Sequence, residues 1–296
     1  MEALKEHYGI TLSASVINKV TRQIGKEAKE LNVEAPASDG LAALLVVEID
    51  GSMVPVVEYG ELGREQKASD LKRNRNCFWK EFRLCTASRP EGSETRYAVT
   101  EGSPFEAGCM MYRNCQLEGM DEATHIHGVA DGAPWIVDQY EEQFGANHGF
   151  LIDFYHVSEY LATASDELNE DPAGRRDWHE RQRRHLKAGQ ADVVINELTN
   201  ISREYPDKQA VETCLRYLDN RKHYLDYATA LQQGLPIGSG EVESGHRSLL
   251  QKRLKKPGAW WLRENAETMA QLKTLQANGH WEELWITIVI SDLTYA

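Results

Sequence analysis

The chain has 296 residues, which is enough for one large domain or two modest ones with a buried core. Its hydrophobic content of 41% and charged content of 27% are typical of soluble globular proteins, and no apolar run approaches the roughly 18 residues that span a membrane. The 33 Lys and Arg against 46 Asp and Glu give a net charge of −13, which argues against a protein that coats nucleic acid through bulk charge. The N-terminus lacks the apolar region of a signal peptide, and the five cysteines contain no Cys-x-x-Cys pair, so we expect reduced thiols and a cytoplasmic protein.

Residues 1–30 are predicted to be helical. Val16, Val20 and Ile24 recur at helical spacing, and Ser13 or Ser15 can cap the start. The segment fits either a helix-turn-helix entered part-way through or a solvated amphipathic helix, and the pattern alone favours the second. A linker with Pro and Gly at 34–40 follows it.

Apolar runs then predict five strands. They are Leu41 to Asp50, an antiparallel return over Val54 to Tyr59 after a turn at Gly51-Ser52, Phe78 to Ser88, Thr124 to Asp131, and a fifth that begins at Gly149 and ends near Asp153. A helix over Trp135 to Phe144 lies between the last two. From about residue 158 to 233 helical spacing replaces strand signals, and a final helix is expected after Gly238-Ser-Gly.

Acidic residues stand at the ends of two predicted strands. Asp50 and Asp131 are each followed by Gly, and taken alone each Asp-Gly is most simply a turn. However, open α/β sheets place ligand sites at the carboxyl ends of strands. Glu48 shares its strand parity with Asp50, so both side chains are expected on one face.

The segment Gly238-Ser-Gly-Glu-Val-Glu-Ser precedes a concentrated basic stretch. Ser239 can serve as a helix N-cap with Glu241 near the positive helix end, while a phosphate cradle is a weaker interpretation because no Gly-Lys pair completes it. From Ser244 to Arg263 there are six basic residues and no acid, with Trp260 and Trp261 nearby. Such a stretch suits phosphate contacts, and we expect it to bind DNA. Its basic residues are Arg247, Lys252, Arg253, Lys255, Lys256 and Arg263.

Asp153 and His156 lie three residues apart near the end of the fifth strand. We expect them either to support a nearby site or, for His156, to be a hydrogen-bonded structural histidine, because no further ligand at zinc spacing completes a metal site. His125 and His127 alternate on one strand face and are expected to be structural.

Taken in order, these motifs resemble those of DDE transposases of bacterial insertion sequences, most closely the ISKra group and more distantly the Mutator-like transposases. The motifs are Asp50-Gly, Asp131-Gly-Ala-Pro-Trp-Ile, Asp153-Phe-Tyr-His, Gly238-Ser-Gly-Glu-Val-Glu-Ser, and Arg253-Leu-Lys with Gly258-Ala-Trp. The family usually has Met where this chain has Ala259, and it usually carries a longer N-terminal DNA-binding region. We therefore expect residues 1–38 to be a helical remnant of a helix-turn-helix DNA-binding region.

The resemblance implies an α/β, RNase H-like fold over residues 39–296, with a five-stranded mixed sheet flanked by helices and a helical insertion over about 160–235. It implies that Asp50, Asp131 and Glu243 bind two Mg²⁺ or Mn²⁺ ions and are catalytic, with Asp153, His156 and Glu241 supporting them. The implied activity is metal-dependent cleavage and strand transfer at transposon ends by a homo-oligomer on double-stranded DNA, in the cytoplasm at the nucleoid. The alternatives are a catalytically inert or domesticated DNA- or protein-binding derivative and a non-transposing nuclease.

Overall fold

The computed structural model describes residues 2–30, 37–59, 75–92, 94–145 and 148–294, and within them the chain forms a mixed α/β fold. The strands are β1 (Leu44–Tyr59), β2 (Arg75–Ser88), β3 (Thr95–Thr100), β4 (His125–Ala130), β5 (Gly149–Ile152) and β6 (Trp261–Leu262). The helices are α1 (Glu2–Tyr8), α2 (Ala14–Glu30), α3 (Pro104–Leu117), α4 (Pro134–Phe144), α5 (Phe154–Leu168), α6 (Pro172–Lys187), α7 (Ala191–Glu204), α8 (Gln209–Asp219), α9 (Tyr227–Gln232), α10 (Gly240–Gly245), α11 (Lys252–Leu254), α12 (Arg263–Ala277) and α13 (Trp281–Thr294).

The strands form one open mixed sheet in the order β3-β2-β1-β4-β5. β1, β2 and β3 are antiparallel neighbours, whereas β4 is parallel to both β1 and β5. The short β6 pairs in parallel with the far half of β1, at Val56 and Val57. The predicted α/β class and the mixed sheet are confirmed. The sheet has six strands rather than the expected five, and its antiparallel part is formed by β1, β2 and β3, whereas the antiparallel return predicted over Val54 to Tyr59 is not a separate strand.

The prediction of a turn at Gly51-Ser52 is wrong. β1 runs through both residues as one strand of 16 residues and pairs continuously with β2, from Val46 opposite Ser88 to Tyr59 opposite Arg75. The apolar residues beyond the predicted turn belong to a separate core cluster, in which Val54 and Val56 pack with Phe82 beneath the C-terminal helices. Gly51 is a site of close approach, since a Cβ there would lie 2.3 Å from the Glu81 carboxylate.

One strand was missed, and the end of another agrees with its prediction. β3 was not predicted, because its sequence Thr-Arg-Tyr-Ala-Val-Thr has no continuous apolar run. β5 ends at Ile152, in agreement with the predicted end near Asp153, because Asp153 is the N-cap of α5 and accepts hydrogen bonds from the backbone N–H groups of Tyr155 and His156.

Helices cover both faces of the sheet. On one face α3 and α4 pack on Val47 and Ile49 of β1. On the other face Val129 of β4 and Leu151 of β5 pack under α5 and the helices that follow it, and β1 and β2 pack under α10 to α12. Residues of alternating parity along β1 therefore face two separate cores.

The helical predictions at both ends of the chain and in its middle are confirmed. α5 to α9 occupy the region predicted from its helical spacing, and α4 coincides with the helix predicted after Asp131. In the N-terminal segment the Ser13 hydroxyl accepts the Val16 N–H at the start of α2, as predicted, whereas residues 34–36 of the predicted linker lie outside the described ranges. Among the described helices, none has the length and apolar character that crossing a membrane requires.

Candidate functional site

Asp50 lies in a gap along one edge of β1. That edge pairs with β4 as far as Glu48 and with β6 from Val56, and in the described chain no strand pairs with it between those points. A cavity of about 250 Å³ opens at this gap and is lined by Asp50, Glu243 and His246 among others. The Asp50 side chain is 37% exposed, so its carboxylate is accessible to water.

Asp131 follows β4 directly, beside the same gap. The turn that it begins is held by hydrogen bonds from residues in and just after α8. Its Oδ1 accepts the Ala133 N–H at 2.9 Å, and its carbonyl oxygen accepts the Tyr217 hydroxyl at 2.6 Å. Arg221 donates to the Gly132 carbonyl at 2.9 Å. The region between α5 and α10 therefore fixes the backbone that carries Asp131.

A substitution at Gly132 tests how tightly the turn that carries Asp131 is packed. Its φ is +72°, and a Cβ there would lie 2.2 Å from Cδ1 of Ile152, which is fully buried and has little room to move. We expect Gly132→Ala to lower the free energy of unfolding by roughly 2–4 kcal/mol, from the left-handed backbone and the overlap together. Gly234 is the matched control, because it follows the end of α9 with φ +69° and has nothing within 4 Å of its Cβ position. Gly234→Ala should cost only about 1–2 kcal/mol in the same urea titration, and equal costs for the two variants would contradict a tightly packed Asp131 turn.

Glu243 is carried by α10, and two buried carboxylates hold the start of that helix. Asp153 Oδ2 accepts both the backbone N–H and the hydroxyl of Ser239, at 2.6 and 2.5 Å. Glu48 Oε2 accepts the Val242 N–H at 2.7 Å. Ser239 is the N-cap residue, as expected, but its hydroxyl makes no capping bond within the helix; Glu48, reaching across from β1, satisfies the first-turn amide instead.

Glu48 is an acid that the sequence interpretation placed beside Asp50 but gave no role. It is 2% exposed, and burial raises its pKa to about 8, an effect increased by Glu241 and Asp153 and opposed by the Val242 N–H. At neutral pH the protonated form of Glu48 therefore predominates. The predicted shared face is confirmed, since Glu48 and Asp50 both lie against the helical segment that starts at Gly240.

The three predicted catalytic acids come together at the gap in the sheet. The pKa of Asp50 is raised to about 6, mainly by burial and in addition by the negative charges of Asp131, Glu243 and Glu81, against the opposing effect of the Gly51 N–H. Asp50 lies 81 residues before Asp131, which in turn lies 112 residues before Glu243. The fold thus brings sequence-distant carboxylates near enough to act on one another.

The donor chemistry of this cluster fits hard divalent cations. Carboxylate oxygens are the ligands that Mg²⁺ prefers. The charges of Asp131 and Glu243 add to burial in raising the Asp50 pKa, and a bound cation would relieve that repulsion. Among the described residues, however, no three His, Cys, Asp or Glu side chains lie close enough together to hold one metal ion in their present positions. An ion here would therefore depend on side-chain movement, water or substrate oxygens to complete its shell.

The residues predicted to support the acids have separate positions. Asp153 is buried and fully occupied by four hydrogen bonds. His156 lies in α5, partly exposed, with its ring against Tyr217 and Tyr160 and its Nδ1 3.7 Å from Glu159. Glu241 lines a different, larger cavity, where it lies 3.4 Å from the Thr95 hydroxyl.

His127 is buried and bonded through Nε2 to the Pro236 carbonyl, as expected of a structural histidine.

His246 is a residue of this site that the sequence interpretation missed. It follows α10 at the start of a π-helical turn over His246–Gln251 and is 3% exposed. Its Nε2 lies 3.4 Å from Asp50 Oδ2, and burial lowers its pKa to about 4, which leaves the ring neutral at neutral pH. The sequence offered one signal for it: His246 follows Glu243 by three residues on the same helical segment, a spacing that places both side chains on one side of the helix.

The predicted DNA-binding residues differ in their surroundings. Arg247 lines the Asp50 cavity, and Lys255 lies near enough to Asp50 for that charge to oppose the lowering of the Lys255 pKa by burial. Lys252 and Lys256 are exposed, whereas Arg253 lies over the Trp261 ring. Arg263 is held by Glu101 in an ion pair of 2.8 Å. Of the six predicted residues, Arg247 and Lys255 are therefore the ones that lie near Asp50.

Comparison with known sequences places this site within a family. Residues 110–284, more than half of the chain, match the family described as "Uncharacterised protein family (UPF0236)". The chain belongs to this family. The UPF0236 match includes Asp131, Glu243 and His246 but begins after Asp50. No curated protein sequence matches the chain significantly.

Proposed function

We propose that this UPF0236 protein is a DDE transposase that cleaves and joins DNA at the ends of an insertion sequence. The observation that carries the proposal is the convergence of Asp131 and Glu243 on Asp50, whose pKa both of their charges raise. The basic residues after Glu243, on the same chain segment, provide a surface for the phosphates of double-stranded DNA. Because two transposon ends must be brought together, the proposed active form is a homo-oligomer. Its proposed location is the nucleoid in the cytoplasm.

The strand order supports an RNase H-like assignment within this proposal. Three antiparallel strands followed by two parallel ones, in the order β3-β2-β1-β4-β5, agree with the fold that the motif resemblance implies. The helical region before Glu243 then corresponds to the insertion expected over about 160–235. Its contacts from Tyr217 and Arg221 to the Asp131 turn give that insertion a role in positioning a catalytic acid.

Each part of the site has a task in the proposed reaction. Asp50, Asp131 and Glu243 would hold a pair of Mg²⁺ ions, which in such sites activate the attacking oxygen and stabilise the leaving oxygen of an in-line displacement. Glu48 and Asp153 fix the backbone before Glu243 and so limit the positions that its carboxylate can take. Arg247 and Lys255 lie on the approach to Asp50 and would orient a phosphodiester by charge.

A strand-transfer assay tests the proposal. Purified protein is incubated with Mg²⁺, a labelled DNA fragment that carries the sequences flanking the gene, and a supercoiled target plasmid. We expect both nicked ends and covalently joined products. Cleavage without joining would support the non-transposing nuclease instead, and DNA binding without either product would support the inert derivative.

Magnesium should also stabilise the folded protein. Because a cation relieves the repulsion among the three acids, saturating Mg²⁺ at about 100 times its dissociation constant should add roughly 2.7 kcal/mol to the free energy of unfolding. Thermal unfolding with and without Mg²⁺ measures the effect. Asp50→Asn removes one of the repelling charges, so we expect this variant to be at least as stable as the wild type without Mg²⁺ and to gain little on its addition. An unchanged response to Mg²⁺ in Asp50→Asn would contradict its role as a ligand.

A further inference from the structure

His246 presents two buried ring nitrogens that lack a well-aligned hydrogen-bond partner among the described residues. The residue is 3% exposed, and neither Nδ1 nor Nε2 meets hydrogen-bond geometry, although the Asp50 backbone lies near enough to oppose the lowering of the His246 pKa by burial. Buried polar atoms are nearly always paired, and leaving one unpaired costs about 1–3 kcal/mol. A buried imidazole without a well-aligned partner, at the edge of a cavity lined by carboxylates, therefore indicates a group that binds there.

The geometry between His246 and Asp50 suits a shared cation. Nε2 of the histidine and Oδ2 of the aspartate are 3.4 Å apart. Two ligands that each lie about 2.1 Å from one ion are roughly 3.0 Å apart at a right angle and roughly 3.4 Å apart at the tetrahedral angle. Glu243 lines the same cavity and offers a further oxygen.

We propose that His246 Nε2 is a nitrogen ligand, adjacent to Asp50 Oδ2, for one of the divalent cations of this site. The inference rests on the proposed function for the presence of a cation there, and it adds a nitrogen donor to the three carboxylates. Imidazole nitrogen is a poor ligand for Mg²⁺ but a good one for later first-row ions, whose affinity for such sites rises from Mn²⁺ through Fe²⁺ to Co²⁺. The site therefore favours these transition ions over Mg²⁺, and His246 is the source of that preference.

Electron paramagnetic resonance with Mn²⁺ as the probe tests the assignment without measuring activity. The amplitude of the free Mn²⁺ signal gives the dissociation constant, and the electron spin echo of bound Mn²⁺ reports a coordinated nitrogen. We expect ¹⁴N modulation in the full-length protein, replaced by the ¹⁵N pattern when the histidines carry ¹⁵N. His246→Gln should abolish the modulation and weaken Mn²⁺ binding at least about tenfold. His127→Gln, a buried histidine bonded to Pro236, is the matched control and should leave both unchanged.

The outcomes separate this inference from the proposed function. Bound Mn²⁺ without nitrogen modulation, or modulation that survives His246→Gln, overturns the nitrogen ligand and leaves the carboxylate site in place. Nitrogen-coupled Mn²⁺ in a protein that neither cleaves nor joins DNA supports the ligand and overturns the transposase. Absence of Mn²⁺ binding overturns both. If His246→Gln does not fold, the ¹⁵N-histidine comparison in the wild type, together with loss of the signal in Asp50→Asn, decides the question.

Discussion

Asp131→Asn is expected to lower the rate of strand transfer by on the order of a thousandfold, because a metal-bound site supplies several kcal/mol of transition-state stabilisation. The substitution removes one negative charge and little else. Oδ1 of an asparagine can still accept the Ala133 N–H, and the bonds to the Asp131 and Gly132 carbonyl oxygens from Tyr217 and Arg221 involve only the backbone of the turn. The turn should therefore persist while a cation ligand is lost. The measurement is the initial rate of joined product at saturating DNA and Mg²⁺.

Asp138→Asn provides the matched control for this experiment. Asp138 is exposed on α4, a short distance along the chain from Asp131, and the substitution makes the same change of charge. We expect its strand-transfer rate to stay within about twofold of the wild type. DNA affinity should be similar in both variants, since the loss in Asp131→Asn concerns catalysis rather than binding. Full activity in Asp131→Asn would rule out the metal-ligand assignment for that residue.

Local sequence predicted the order of most elements but not the length of β1. Apolar runs marked β1 and β5, because strands buried on both faces need apolar residues at successive positions, and β2 and β4 were marked by apolar residues interspersed with polar ones. Gly51-Ser52 has turn-like composition, and only pairing with β2 across its whole length determines that the strand continues. β3 was missed because a strand at the edge of the sheet can be rich in polar residues, such as Arg96, which is buried through an ion pair with Glu118.

The position of Asp131 could be predicted from a local rule, whereas the surroundings of Asp50 and the groups that hold the site could not. Asp131 follows β4, and open sheets present ligands at the carboxyl ends of such strands. Asp50 lies within β1 rather than at its predicted end, and it is accessible because no described strand pairs with that edge of β1 between Glu48 and Val56. The contacts from Glu48 to Val242 and from Asp153 to Ser239 join residues 194 and 86 positions apart, and no local pattern encodes them. No local pattern encodes the role of His246 either, because that role depends on its proximity to Asp50.

Glu48→Gln is expected to change how stability depends on pH. The pKa of Glu48 is about 8 in the folded protein, against an ordinary value of 4.5, so between these values folding keeps a proton that the unfolded chain releases. The stability associated with protonated Glu48 is thus fully present below pH 4.5 and is lost as pH rises to 8. With about 1.4 kcal/mol for each pKa unit, wild-type protein should lose on the order of 5 kcal/mol relative to Glu48→Gln across this range. Urea unfolding at pH 5, 7 and 9, in buffer with a chelator, measures the difference.

Glu48→Ala separates the charge of Glu48 from its hydrogen bond. A glutamine can still accept the Val242 N–H and mimics the protonated acid, so its stability should match or exceed that of the wild type at pH 9. An alanine loses that acceptor and leaves a cavity, so it should be less stable than glutamine by roughly 2 kcal/mol or more at every pH, with the same weak pH dependence. Asp50 and the other titrating groups are common to all three proteins and cancel in the comparison. If the free energies of unfolding of wild type and Glu48→Gln change in parallel with pH, the raised pKa of Glu48 is contradicted. The start of α10 would then be capped by a carboxylate that is charged without a burial cost.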